Sequence, residues 1–213
     1  MISRGSSSGS GTRLSKHSSF LLLMILKRLR SDTQAQHSAL EAHIPLMDPA
    51  FSLADYRRLL GRFYGYYVPL EARLVAWSRA EGRGIDYAER VKAPALERDL
   101  IALGETAETI AQLPRCAALP ALATEAQGLG CLYVVEGSTL GGQVITRQLQ
   151  KSLGLPPESG VAFFNGYGAE TGARWKAFGA GLEDAAARLN QDDAIIAGAN
   201  ETFRTLGDWL IAK

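Results

Sequence analysis

The sequence has few cysteines, no long apolar run and no excess of charge, and each absence excludes a class of protein. The two cysteines among 213 residues, Cys116 and Cys131, match no metal-binding spacing, so we expect two reduced thiols. No apolar run reaches the roughly 18 residues that a transmembrane helix needs, so no membrane partner is expected. The 23 basic and 22 acidic residues nearly cancel, which gives no support for nucleic-acid binding. The composition predicts a cytoplasmic globular protein.

The first 19 residues differ from the rest. They are rich in serine and glycine and lack apolar periodicity, so we predict a disordered tail over residues 1–19 or an upstream start-site artefact. The apolar stretch Phe20–Leu26 is short, runs directly into Lys27 and Arg28, and lacks a small-residue cleavage site. These features argue against a secretory signal, and a start at Met24 fits the same pattern.

Helical periodicity dominates the chain after residue 20, and no alternating strand pattern interrupts it. Leu53–Ala80 carries apolar residues at helical spacing, with Ser52 as the N-cap and Asp55 at the third helical position. The other predicted helices are Leu22–His43, Ala95–Leu103, Leu119–Leu153, Thr171–Leu189 and Asp192–Ile211. We therefore predict an all-α fold in which residues 20–213 form a single helical domain.

The segment Tyr133–Ile145, YVVEGSTLGGQVI, is predicted to be helical and yet contains three glycines. Gly137, Gly141 and Gly142 fall largely on one face of that helix. Each interior glycine costs about 0.5–1 kcal/mol relative to alanine, so the three cost about 2–3 kcal/mol together. A glycine face allows another helix or a flat ligand to lie directly on the main chain. Gly137–Gly142 is therefore the first candidate site.

The first predicted helix carries a histidine in its apolar stripe. His37 follows Leu29 and Thr33 at helical spacing, which predicts a core-facing position. Burial favours a neutral imidazole, which needs a partner for each nitrogen. Glu41, one turn later, can accept one ring N–H, as carboxylates do behind metal-ligating histidines. A hydrogen-bonded core histidine is the ordinary alternative.

The remaining histidines do not complete a zinc site. His43 lies at the helix end, where it can satisfy terminal carbonyls, and His17 lies in the predicted tail. One usable histidine cannot supply three or four zinc ligands, whereas haem needs a single axial histidine. With Arg30 two turns before His37, a lone histidine and a glycine face could enclose a flat, dianionic macrocycle.

Two motifs together resemble the haem oxygenases. LRSDTQAQHSALE (Leu29–Glu41) followed by YVVEGSTLGGQVI is similar to the bacterial biliverdin-producing type associated with bacteriophytochromes, and so is FFNGYGAETGARWKAF (Phe163–Phe178). The resemblance covers roughly residues 24–210. It implies a helical haem oxygenase-like bundle that uses O2 to cleave haem, both substrate and prosthetic group, to biliverdin, carbon monoxide and ferrous iron.

The resemblance also implies roles for individual residues. His37 is the proximal ligand of the haem iron. The implied catalytic positions of the distal helix, which leaves room for dioxygen, are Gly137, Ser138, Gly141 and Gly142. The implied haem-binding side chains are Arg30, Thr33, Glu41, Gln143 and Lys176, of which Arg30 and Lys176 are the propionate partners.

The implied partners follow from what the chain lacks. No strand precedes Gly141 and Gly142 to make a nucleotide-binding loop, so electrons must come from an external donor, a ferredoxin or another reductase. The resemblance also implies a bacteriophytochrome as the acceptor of biliverdin, and cleavage at the α meso carbon.

Two positions depart from the pattern of the family. Animal-type members carry an aspartate directly after the first distal glycine, where this chain has Ser138. Distal water must then be held by Ser138, Thr139, Gln143 or backbone groups. The basic residue usual three positions before the proximal histidine is Gln34 here, which weakens or removes that propionate contact.

Three other functions remain open at this point. A haem carrier or sensor would use the same histidine and glycine face without turnover. A non-haem enzyme of the same architecture, such as a thiamin-degrading or cofactor-maturing relative, would use Cys131 as its nucleophile. A purely structural bundle would leave the glycines unexplained.

Overall fold

The computed structural model describes residues 24–46, 48–80, 83–156 and 159–212. Within them, two 3-10 turns lie at Ala88–Arg90 and Gly168–Glu170. The α-helices are α1 Met24–Asp32, α2 Gln34–Ala42, α3 Leu53–Ser78, α4 Ala93–Ala102, α5 Ala107–Ala111, α6 Glu125–Leu153, α7 Ala162–Asn165, α8 Thr171–Leu189 and α9 Asp192–Ile211. No strand occurs in these ranges, so the all-α prediction is confirmed. The tail predicted over residues 1–19 lies outside the described residues.

Local capping sets several helix boundaries. At the start of α3 the Ser52 hydroxyl accepts from the Asp55 amide and the Asp55 carboxylate accepts from the Ser52 amide, which confirms the predicted cap. Helix α6 begins at Glu125, later than predicted, because Thr124 and Gln127 form the same kind of box. Helices α8 and α9 have the predicted bounds.

The predicted first helix is two helices that meet at Thr33. The Thr33 hydroxyl donates to the Leu29 carbonyl at 2.7 Å, a back-bond that tends to bend a helix. Beyond this point α2 contains no fully buried residue, and the His37 side chain is 49% exposed. The prediction that His37 faces the core is therefore wrong, because the side chains after the break at Thr33 are no longer buried.

Helix α6 forms the centre of the bundle and packs on α7, α8 and α9. Its approach to α9 depends on Gly130, where an added Cβ would collide with the backbone at Ile195 and Ala199. On the other side of the bundle, α1 is tied to α8 because the Leu26 amide donates to the Glu183 carboxylate at 3.1 Å. None of the described helices is long and apolar enough to span a bilayer.

A proline inside α3 creates a second close backbone contact. Pro69 has no N–H to donate to the carbonyl of Gly65 four residues earlier, and the Cys116 amide donates to that carbonyl instead, at 2.9 Å. Gly65 allows this approach, since a Cβ there would collide with the Pro114 carbonyl and lie 2.8 Å from the Trp209 ring. The segment after α5 is thereby fixed against the middle of α3.

Replacing Gly65 with alanine tests this contact. We expect Gly65→Ala to lower the free energy of unfolding by about 1–3 kcal/mol, because the colliding atom is backbone and cannot move cheaply. Gly172→Ala is the matched control, since an added Cβ there meets nothing within 4 Å in the exposed first turn of α8. Urea unfolding of both variants measures the difference, and equal stabilities would contradict the argument.

Candidate functional site

His37 lies on α2 with one nitrogen engaged and the other without a partner. Its Nδ1 is 3.4 Å from a carboxylate oxygen of Glu41, the residue predicted to support it. The imidazole meets the Phe203 ring of α9 edge-on at 5.7 Å. Within the described ranges Nε2 has no hydrogen-bond partner, so it is available to a ligand. His43 differs, because its Nδ1 is 2.6 Å from the Ala39 carbonyl, as predicted for a histidine at a helix end.

One face of α6 presents main chain and apolar side chains to solvent. An added Cβ at Gly141 would meet nothing within 4 Å. Leu140 and Val144, which share this face, are 42% and 52% exposed, unlike the apolar side chains of the core. At the next turn toward the N-terminus, the Trp175 ring lies 3.7 Å from a Cβ added at Gly137. The face is flat, apolar and uncovered at its centre.

Gly142 and Gln143, the next positions of the motif, turn away from this face. A Cβ at Gly142 would collide with the Phe164 carbonyl of α7, so this glycine serves helix packing. Gln143 donates its amide to the Asn165 carbonyl at 2.7 Å, on the same side. The expectation that the three glycines share one face is therefore correct only for Gly137 and Gly141. The haem contact predicted for Gln143 stays a prediction.

An aromatic junction on α6 lies near the break between α1 and α2. Burial raises the pKa of Tyr133 on α6, and a hydrogen bond to Thr33 and the charge of Arg30 oppose the rise. The Tyr133 ring lies 6.0 Å from the ring of Trp175 on α8. Arg30 and the neighbour of that tryptophan, Lys176, are both exposed. Arg30 is thus near the junction, and Lys176 follows Trp175 in the sequence.

The side chains after Gly137 differ in their surroundings. Ser138 is exposed and donates to the Val135 carbonyl at 2.8 Å, so its oxygen can still accept. Thr139 is buried and donates to the Glu136 carbonyl at 2.7 Å. Burial raises the pKa of Tyr67, and the Ser138 hydroxyl opposes the rise, so the two hydroxyls are near each other. Among the candidate water anchors, Ser138 is the exposed one.

Several residues of this region were not singled out from the sequence. Tyr67 was predicted only as part of a buried helical stripe, and Tyr133 and Trp175 lay unremarked within the motifs. Their role follows from three helices meeting, which spacing along one helix does not reveal. Glu136 stands inside EGSTLGG, and a carboxylate beside a glycine segment was a usable signal.

The two cysteines are free and buried. Burial raises the pKa of Cys131 to about 12, against a hydrogen bond to Thr202 that lowers it. A thiol with this pKa is essentially unionised at neutral pH and is a poor nucleophile, which disfavours the non-haem alternative. The described residues also contain no cluster of three or more His, Cys, Asp or Glu side chains placed to hold a metal ion.

The helical fold defines the class of protein, an all-α bundle, and comparisons with known proteins show which bundles it resembles. The fold is similar to that of heme oxygenase from Leptospira interrogans, with a TM-score of 0.72, 19% identity, and 87% of this chain and 98% of that one covered. It is also similar to heme oxygenase from Neisseria meningitidis, with a TM-score of 0.68, 23% identity, and 87% and 89% of the two chains covered.

Sequence comparison identifies the family. The family model "Heme oxygenase" matches residues 23–212. A heme oxygenase from Xanthomonas campestris pv. campestris (strain 8004) is 36% identical over 163 residues, which cover 74% of this chain and 90% of that relative. The chain belongs to the heme oxygenase family. It is a haem-degrading enzyme, which confirms the function expected from the motifs.

The buried thiols give a testable prediction. In the native protein we expect iodoacetamide at pH 8 to label Cys131 negligibly, because a pKa of about 12 leaves only about one thiolate in ten thousand. Mass spectrometry of native and urea-unfolded samples measures the labelling, and the unfolded chain serves as the reactive control. Cys131→Ala should retain haem degradation. A variant without this activity would show that the thiol has a functional role.

Proposed function

We propose that this chain cleaves haem to biliverdin, carbon monoxide and ferrous iron, with His37 as the axial ligand and the glycine face of α6 over the opposite haem face. The observation that carries the proposal is the state of the His37 imidazole. Its Nδ1 is oriented by Glu41 while Nε2 has no partner among the described residues, as a metal-ligating histidine requires. The other described histidine, His43, is engaged with its own helix.

The residues present fit a flat apolar ligand. Gly141 lets a planar ring approach the main chain, and the exposed Leu140 and Val144 beside it are apolar surface that a macrocycle would remove from water. Gly137 and Trp175 border the same face. This arrangement supports the assignment of Gly137 and Gly141 to the distal haem contact.

The haem propionates would be held by Arg30 and Lys176. Both side chains are exposed. The charge of Arg30 acts on Tyr133, whose ring lies 6.0 Å from that of Trp175, and Lys176 follows Trp175 in the sequence. A carboxylate gains most from a cation that is not already paired, and no ion pair of either residue occurs in the described ranges. Arg28 is a contrasting neighbour, since it pairs with Asp192 and Asp193 at the start of α9.

The distal side chains hold protons in place rather than act as bases. When bound, haem supplies both the iron that activates O2 and the carbon skeleton that is oxidised. The Tyr67 hydroxyl stays protonated because burial raises its pKa, so it can donate to Ser138 or to water beside it. The Ser138 oxygen accepts, since its own hydrogen is used by the Val135 carbonyl. This pair takes the place of the aspartate expected after the first distal glycine.

The more specific expectations from the resemblance also belong to the proposal. They are an external electron donor such as a ferredoxin or another reductase, cleavage at the α meso carbon, and a bacteriophytochrome as the acceptor of biliverdin. Support for them comes from the motifs alone. A haem carrier is excluded if reductant and air remove the Soret band of the bound haem.

Removing the imidazole tests the ligand assignment. We expect His37→Ala to lose the imidazole-type Soret spectrum with one equivalent of haemin and to lose biliverdin formation with ascorbate in air, because no described side chain can replace Nε2. His43→Ala is the matched control and should retain both. A His37→Ala protein with normal spectra and turnover would overturn the assignment.

Adding a methyl group at each of two adjacent glycines separates function from packing. Gly141→Ala should stabilise the haem-free protein by about 1 kcal/mol, because a helical glycine is replaced where nothing crowds the new Cβ, yet it should slow haem degradation. Gly142→Ala should instead lower the free energy of unfolding by about 1–3 kcal/mol through its collision with Phe164. Thermal unfolding and turnover are measured on both. Unchanged turnover in Gly141→Ala would contradict the distal-face proposal.

A further inference from the structure

A buried carboxylate stands directly before the glycine segment of α6. Glu136 is 1% exposed, and three groups surround its oxygens. Arg90 Nη1 lies at 2.5 Å, Lys92 Nζ at 2.7 Å and the Tyr167 hydroxyl at 2.9 Å. Five residues at 100° each put Glu136 about 140° around the helix axis from Gly141, so this cluster holds the side of α6 away from the open face.

The partners of Glu136 are themselves fixed. Glu71 of α3 accepts from the backbone amides of Lys92 and Ala93 at 2.6 and 2.9 Å, and from the Tyr87 hydroxyl at 2.8 Å. The start of α4 is thereby anchored to α3. Lys92 is 5% exposed, and burial lowers its pKa while the charge of Glu136 opposes that shift. Because a buried ammonium without a counter-charge is unfavourable, Glu136 and Lys92 are strongly held together.

A second set of contacts holds the other end of the glycine segment. We call residues 160–171 the brace. Gly142 packs on the Phe164 carbonyl of the brace, and Gln143 donates to the Asn165 carbonyl at 2.7 Å. The brace is itself fixed by Asp99, whose carboxylate accepts three backbone N–H groups, from Gly160 and residues 162 and 163, at 2.8–2.9 Å. The motif around Phe163 thus supports α6 from behind.

A helix that contains three glycines within six residues needs such support. Glycine weakens the helix by about 0.5–1 kcal/mol at each position, and one face of this segment has no packing partner at Gly141. Its position is therefore set by contacts on its other side. Those contacts are the Glu136 cluster at the start and the brace at the end.

We propose that Glu136 is the positioning residue of the distal glycine segment. Its ion pairs with Arg90 and Lys92 and its hydrogen bond from Tyr167 fix Gly137 and Gly141, and thereby set the clearance between α6 and a haem below it. Glu136 acts through the helix and touches no substrate. The second part of this inference rests on the proposed function, whereas the first concerns the haem-free protein alone.

Hydrogen exchange in the haem-free protein tests the first part. Tyr167→Phe removes the hydrogen bond to Glu136 and a longer one from Lys92 Nζ at 3.4 Å, and it keeps the ring. Glu136→Gln removes the charge. We expect the amides of residues 137–143 to exchange about tenfold faster in Tyr167→Phe, as the loss of one charge-assisted hydrogen bond implies, and faster still in Glu136→Gln. The amides of α9 should be unchanged in Tyr167→Phe. Unchanged exchange at 137–143 in both variants would overturn the proposal.

Two controls separate positioning from general destabilisation. Glu170→Gln removes an exposed carboxylate of the brace whose ion pair among the described residues is with Arg174, and should leave exchange at 137–143 as in the wild type. Glu136→Gln combined with Lys92→Met removes one charge of each sign and guards against global unfolding of the single variant. If the double variant regains stability yet still exchanges rapidly at 137–143, positioning is supported. If the double variant regains both wild-type stability and slow exchange at 137–143, Glu136 serves only to neutralise the charge of Lys92.

Vibrational spectroscopy tests the second part. In the ferrous carbon monoxide complex, Tyr167→Phe should shift and broaden the C–O stretching band, because α6 no longer holds one distance from the bound ligand. Glu170→Gln should leave the band unchanged. If hydrogen exchange at 137–143 becomes faster but the C–O band does not shift, Glu136 stabilises α6 without setting its distance from the ligand. A wild-type protein that fails to degrade haem would refute the proposed function while leaving the exchange result valid.

Discussion

The close approach of main chain to main chain along α6 is the constraint on which the rest of the structure depends. At Gly130 the helix lies on the backbone of α9, and at Gly142 on the backbone of α7. A side chain at either position would push the neighbouring element outward. Between them, an added Cβ at Gly141 would meet no atom of the described residues within 4 Å. Glycine therefore allows α9 and α7 to approach α6 closely at Gly130 and Gly142, and leaves the main chain accessible at Gly141.

Buried charge compensates for the weakness that glycine introduces. Glu71 lies on α3 and Glu136 on α6, and both bind Lys92. Glu71 accepts from the backbone amide of Lys92, and Glu136 accepts from its ammonium group. These bonds add specificity because a buried carboxylate tolerates few alternative arrangements. They also run from α3 to α6 without crossing the open face. Glu71 and Glu136 thus hold α6 from behind, whereas Gly141 keeps the opposite face accessible.

Membership of the heme oxygenase family supports the reaction, whereas the local geometry supports the proposed roles of individual residues. The family gives haem degradation, and the fold comparisons give the helical architecture. The proximal assignment depends on this chain alone, on an imidazole oriented by Glu41 and edge-on to Phe203. The proposed distal assignment depends on Gly137 and on the open main chain at Gly141. Ser138 stands where the family pattern leads one to expect an aspartate.

Local sequence patterns determined most of the long helices, the cap of α3 and the motifs that resemble the heme oxygenases, but not the break at Thr33 or the start of α6. Ser52 and Asp55 cap α3 as predicted, because a capping box involves residues only three positions apart. The tertiary structure alone decided which glycine packs and which stays open, since Gly141 and Gly142 are neighbours with identical local preferences. It likewise decided that Glu136 is buried among cations from another segment. Such contacts join residues far apart in the chain, so their distances and burial are set by how the helices pack.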